Sequence, residues 1–144
     1  MTESELDKIL LDRLEQFLSG SECGWCLVAR HPPGPAGECL DLLFFQGELR
    51  CLVAVDVKLD DFLPEHLQQM HSHLAHLSQC LEHPYENAPV GILLCTGRES
   101  EVVRFVLPSE DAHFVTHCQR TLPCATRLRK LLRELRVAVE TAIR

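Results

Sequence analysis

Leu52-Val53-Ala54-Val55-Asp56-Val57-Lys58 decides the fold and points to the chemistry. Side chains alternate across a β-strand, so Asp56 and Lys58, two residues apart, project to one face. The run before it, Leu40-Asp41-Leu42-Leu43-Phe44-Phe45, reads as a second strand. Asp41 lies inside that apolar run, where a carboxylate is costly to bury without compensation. Gln46-Gly47-Glu48 turns the chain between the two strands, which predicts an antiparallel hairpin. An aspartate on one strand and Asp-x-Lys at the end of the next can hold a divalent ion with a water beside it. Metal-dependent phosphodiester hydrolysis needs that arrangement.

Outward from the hairpin, the sequence alternates helices and strands. Leu6, Ile9, Leu10, Leu14, Phe17 and Leu18 keep helical spacing. Thr2 or Ser4 is placed to cap that helix and Gly20 to end it. Trp25 to Arg30 reads as a strand, and the Pro/Gly-rich stretch from His31 to Gly37 as a loop. The hairpin strands are expected at Cys39–Phe45 and Leu49–Lys58. Pro64 suits the first turn of the next helix. There Leu67, Met70, Leu74, Leu77 and Leu81 form one apolar stripe, and His83-Pro84 ends it. Val90-Gly91-Ile92-Leu93-Leu94-Cys95 is wholly apolar, the signature of a central strand buried on both faces. Val102–Leu107 is a further strand. A last helix is expected from about Leu122, with Leu128, Leu131, Leu132, Leu135 and Val139 inward. The order predicts an α/β fold in which helices flank a mixed sheet, as one domain over residues 1–144.

Composition sets the limits. The chain has 144 residues, enough for one sizeable core. No apolar run reaches the ~18 residues of a membrane helix, and the acidic N-terminus is unlike a secretory signal. A cytoplasmic location, or a nuclear one in a eukaryote, is expected. The net charge of −7 argues against broad nucleic-acid affinity, which rests on basic residues. The charge is uneven, however. Residues 1–97 hold 5 Lys and Arg against 15 Asp and Glu, whereas residues 98–144 hold 9 against 6. Arg120, Arg127, Arg129, Lys130, Arg133 and Arg136 gather near the end, as a DNA-facing surface or as a solvated helix face. The eight cysteines are expected to be reduced and mostly buried. Cys23-Gly24-Trp25-Cys26 is a CxxC without a second one to complete a zinc site. It runs into a strand, where a redox CxxC opens a helix.

In a phosphodiesterase, Asp41 and Asp56 would be the carboxylate ligands of Mg2+ or Mn2+, with the carbonyl of Val57 as a third donor. Lys58 would orient or polarise the attacking water. Asp7 is a weaker candidate for an outer or second-metal ligand, and Gln69 is placed to contact the water or the phosphate. Two close carboxylates repel, so one should have a raised pKa without an ion, with Lys58 opposing the shift. Each residue also has a plainer reading. Asp-x-Lys at a strand end is often a surface pair, Asp41 can cap a backbone group, and Asp7 can favour a helix N-terminus.

The chain resembles the PD-(D/E)XK nuclease superfamily and, within it, the YhcG-like branch of bacterial proteins. The likeness extends from Leu6-Asp7 through Phe17-Leu18, Leu40–Phe45 and Leu49–Lys58. It continues through Phe62, Pro64-Glu65, Gln69-Met70 and Asn87–Cys95. The resemblance implies a restriction-endonuclease-like core and a metal-dependent DNA endonuclease. Asp41 falls on the motif's first Asp, Asp56 on its Asp/Glu and Lys58 on its Lys. Asp7 falls where a helix carboxylate is common, and Gln69 where the branch often has Lys. Asp56 is one methylene shorter than the branch's usual Glu. His31 and the Pro/Gly loop replace a more regular stretch. The branch's separate N-terminal domain has no counterpart here, so a homodimer or a separate DNA-binding partner protein would stand in for it.

Two other classes compete. One is a nuclease-fold module without useful turnover that binds DNA or protein as a regulatory domain. The other is a Cys/His metal or redox protein built around His66, His71, His73, His76 and His83. Zinc would need more ligands than His73 and His76 supply, and the histidines read as a polar helix face.

Overall fold

The computed structural model describes residues 3–21, 24–34, 40–80, 86–97, 100–107 and 112–143. Five strands form one mixed sheet in the order β1-β2-β3-β4-β5. They are β1 (Trp25–Arg30), β2 (Leu42–Gln46), β3 (Cys51–Lys58), β4 (Val90–Thr96) and β5 (Glu101–Val106). Four helices accompany them: α1 (Glu3–Ser21), α2 (Pro64–Ser78), α3 (Ala112–Thr121) and α4 (Ala125–Ile143). Strands β1, β2 and β3 form an antiparallel meander, and β4 pairs parallel to β3. That parallel pairing needs a crossover, which α2 supplies. Strand β5 returns antiparallel to β4.

Each face of the sheet has its own core. On one, Leu10, Leu14 and Leu18 of α1 and Leu128, Leu132 and Leu135 of α4 pack on Phe44, Val53, Val55, Ile92 and Leu94. On the other, Met70, Leu74 and Leu77 of α2 cover Leu43, Ala54, Leu93 and Cys95. Every residue of β4 is buried, as its uninterrupted apolar run requires. Gly91 permits the close approach of α2: a Cβ there would stand 2.8 Å from the Met70 sulfur.

The observed elements correct the sequence reading at several boundaries. Strand β2 begins at Leu42, so Asp41 sits in a bend before the strand and not within it. Cys39 lies outside the described residues. Residues 47–50 form the turn, so β3 begins at Cys51 and not at Leu49. Arg50 has a left-handed φ of 51°, which a continuing strand would not adopt. The last helix begins at Ala125 and not at Leu122, and an unexpected helix, α3, precedes it: Leu122, Pro123 and Cys124 separate the two. Pro123 lacks the amide that a continuous helix needs. Ser4 and Gly20 lie within α1, so neither marks its end. Thr2, Leu81 and the proposed stop at His83-Pro84 fall outside the described residues, as does the side chain of Val139.

Candidate metal-dependent phosphodiester site

The register of the sheet assembles the site. Leu42 pairs with Val55, so one step past the end of the β2–β3 ladder Asp41 stands opposite Asp56. Asp56 is close enough to raise the Asp41 pKa. The second Asp41 interaction is with the backbone: Val57 N–H donates to its Oδ2 at 2.7 Å, beyond the last β2 partner of β3. Lys58 Nζ lies 3.3 Å from Asp56 Oδ2. Asp56 is 5% exposed, whereas Lys58 is half-buried and open to a ligand. Asp41, Asp56 and Lys58 therefore converge at one end of the central sheet, on the face that α2 covers.

Their electrostatics are strained without an ion. Burial pushes the Asp41 carboxyl up to about 7. The hydrogen bond to Asp56 and its charge add to the rise, while the Val57 amide and Lys58 oppose it. Asp41 therefore holds a proton below about pH 7, where a dication would instead offset its charge. The donors are hard oxygens, as Mg2+ or Mn2+ prefers. Among the described residues, no group of three or more His, Cys, Asp or Glu side chains could hold a metal. The two carboxylates alone fall short of such a group, so a dication here would draw its remaining donors from backbone carbonyls and water.

The remaining candidates are placed unequally. Gln69 is half-buried on α2, and no hydrogen bond joins it to the carboxylates among the described residues. Asp7 lies on α1, and its side chain is outside the described set. Two residues outside the expected catalytic set border the site. Cys95 pairs with Lys58 in the parallel β3–β4 register. Its thiol is pushed up to about 11, first by burial and then by Asp56, with Lys58 opposing. His66 Nδ1 accepts the Leu63 amide at 3.1 Å and lies 3.8 Å from Cys95 Sγ. Strand register brings Cys95 there and the start of α2 brings His66, and spacing within the sequence shows neither.

The rival features separate from the site. His73 is buried in the α2 stripe and not on a polar face. Cys26 is exposed in β1, and Cys23 falls outside the described residues. Of the six described free cysteines, three are buried and three exposed, fewer buried than expected. The buried Cys51, Cys95 and Cys118 all have raised pKa values, which keeps them as thiols at neutral pH. Among the basic residues, Arg133 pairs with Glu101 at 3.1 Å and Arg136 with Glu140 at 3.2 Å. Arg127 stacks on the Phe17 ring, 5.3 Å from its centroid. No described helix is long and apolar enough to cross a membrane.

The profile of the YhcG PDDEXK nuclease domain matches residues 1–135. A curated relative from Escherichia coli (strain K12), named "Putative nuclease YhcG", is 28% identical over 109 residues. The match covers 74% of this chain and 29% of that protein, so the chain spans less than a third of the relative's length. Among solved structures, a repair endonuclease from Pyrococcus abyssi superposes with a TM-score of 0.45 at 19% identity. That superposition covers 62% of this chain and 38% of the other.

Proposed function

The chain belongs to the YhcG PDDEXK nuclease domain family, and we propose that it is a Mg2+- or Mn2+-dependent DNA endonuclease. Its substrates would be branched or flapped DNA, in recombination, repair or defence against foreign DNA. The observation that carries this reading is the Asp41–Asp56 pair, set opposite each other by the strand register with Lys58 3.3 Å from Asp56 at a strand end. Asp41, Asp56 and the Val57 carbonyl would hold the ion, with Asp7 as an outer or second ligand. The bound ion supplies charge stabilisation and a lowered water pKa.

The side chains supply the rest. Lys58, held by Asp56, orients the attacking water and offsets charge developing on the phosphate. The Val57 amide fixes one Asp41 oxygen and leaves the other free for the ion. Gln69 contacts the water or the phosphate from α2. A second copy of the chain or a DNA-binding partner would extend the DNA contact.

A panel of duplex, flap, junction and single-stranded DNA, incubated with Mg2+ or Mn2+, tests the proposal against Lys58→Ala. The substitution is expected to slow cleavage by roughly 10²-fold or more. DNA binding should fall much less, because one phosphate contact changes the salt slope by about one. The second reading is a binding or regulatory module without turnover. The net charge of −7 and the pairing of Arg133 and Arg136 with carboxylates favour it. Wild-type protein that binds these DNAs and cuts none of them would establish that reading instead.

A further inference from the structure

Strand β1, at the sheet edge, contributes a group to the site. Its register with β2 shifts between Leu27 and Ala29, leaving Val28 as a bulge that is 53% exposed. A one-residue bulge exchanges the faces of every side chain after it. Leu27 packs into the α1/α4 core opposite Phe44. Uninterrupted alternation would then send His31 to that same face. The bulge reverses this. Arg30 now faces α1, where its guanidinium is held by Asp12 at 2.6 Å and by Glu15. His31 turns instead to the face of the acid pair.

His31 then stands beside Asp41 by two independent contacts. Its amide donates to the Asp41 carbonyl at 3.0 Å, continuing the β1–β2 register by one pair. Its ring Nδ1 lies 4.0 Å from Asp41 Oδ1, the oxygen that the Val57 amide leaves free. A single row thus crosses the sheet through His31, Asp41 and Asp56. The ring is half exposed, so a ligand at the acid pair can reach it. The backbone of His31 is left-handed, with a φ of 50°, which costs a side chain with a Cβ more than it costs glycine. Glycine or asparagine would satisfy the turn more easily, so the fold alone does not call for histidine here.

We propose that His31 is a catalytic residue of this site, donating a ring N–H to a non-bridging oxygen of the scissile phosphate from the edge-strand side. The inference rests on the proposed nuclease reading and adds a substrate contact that the three-residue motif does not contain.

His31→Gly and His31→Asn test it. Glycine relieves the left-handed backbone and removes the ring. The expected result is a melting temperature equal to or above wild type and unchanged Mg2+ affinity. In the same variant kcat should fall by roughly 10²-fold while KM changes far less. Asparagine tolerates positive φ and carries an N–H donor, so it should recover activity to within about tenfold of wild type. His31→Gly that cuts at the wild-type rate overturns the proposal. So does a variant that loses melting temperature and Mg2+ affinity together with activity, because His31 would then be structural. DNA binding in Ca2+ separates the two readings if wild type never cuts. Weaker binding by His31→Gly would then keep His31 as a phosphate contact after the nuclease reading has failed, and equal binding would overturn it. Wild type that neither binds nor cuts overturns both.

Discussion

The two ends of the β2–β3 hairpin are built on opposite principles. At the turn end, polar groups are satisfied locally. The Gln46 side chain accepts the Glu48 and Leu49 amides at 2.6 and 3.2 Å. Asn87 clamps the same turn, donating its side-chain N–H to Leu49 O and its backbone N–H to Arg50 O, both at 2.8 Å. At the other end, two carboxylates stand opposite each other, and Asp41 titrates far from its ordinary range. One end fixes the register, and the other uses that register to hold groups that would not choose to be together. Conflict of this kind is expected where a protein binds or reacts, and its cost is met by order elsewhere.

Substitutions at the two ends should therefore have opposite signatures. The largest effect is expected from Asp56→Asn. Losing a metal-held charge worth several kcal/mol should cut cleavage by roughly 10³-fold. Denaturant unfolding without metal should show no loss of stability, because the carboxylate repulsion is gone. A parallel loss of stability and activity would erase the contrast between the two ends.

Gly91→Ala addresses what joins them, since α2 rests on that residue. The added Cβ would meet Met70 Sδ at 2.8 Å, and overpacking of this kind costs about 1–3 kcal/mol. Urea denaturation would read it, and a Gly91→Ala protein as stable as wild type would show that α2 has room to move. At the turn end, Asn87→Ala should cost about 1–2 kcal/mol for the lost side-chain hydrogen bond and its unpaired carbonyl, with kcat unchanged. A fall in kcat for the Asn87 variant would mean that the turn does more than hold register.

A further effect is on the pH dependence of stability. Asp41 titrates at about 7 in the folded protein and near 3.9 when unfolded. Between those values the folded state holds a proton that the unfolded state has released. The stabilisation is therefore complete below about pH 4 and is lost as the pH rises through about 7. Asp41→Asn should flatten that part of the profile. Unfolding curves of the metal-free protein that are equally pH-dependent for both would assign the slope to another group.

Much of this was legible in the sequence. The apolar run of β4 and the Leu/Met stripe of α2 announced their positions because period and burial coincide there. Asp56 and Lys58 could be placed on one face from strand alternation alone. Asp41 was found, but as part of a strand it only precedes, because a bend and a strand end look alike in an apolar run. Helix α3 was missed: Cys118 and Thr121 are its buried residues, and polar residues fill most of the rest. His31 and Cys95 reach the site through a bulge and an interstrand register, and neither leaves a local trace. The basic residues read as a candidate DNA surface, yet Arg133 is bound to Glu101, 32 residues away, and Arg136 to Glu140, one turn along α4.

The central claim is that Asp41 and Asp56 form one cation site. Calorimetric titration of the metal-free protein with Mg2+, paired with melting curves, tests it most directly. The wild type should bind with an affinity that rises with pH up to about 7, releasing protons below that pH as the ion displaces the one on Asp41. Its melting temperature should rise with Mg2+ by mass action. The Asp41→Asn, Asp56→Asn double variant should show neither the heat nor the shift. A double variant with the wild-type Mg2+ shift in melting temperature would contradict the account.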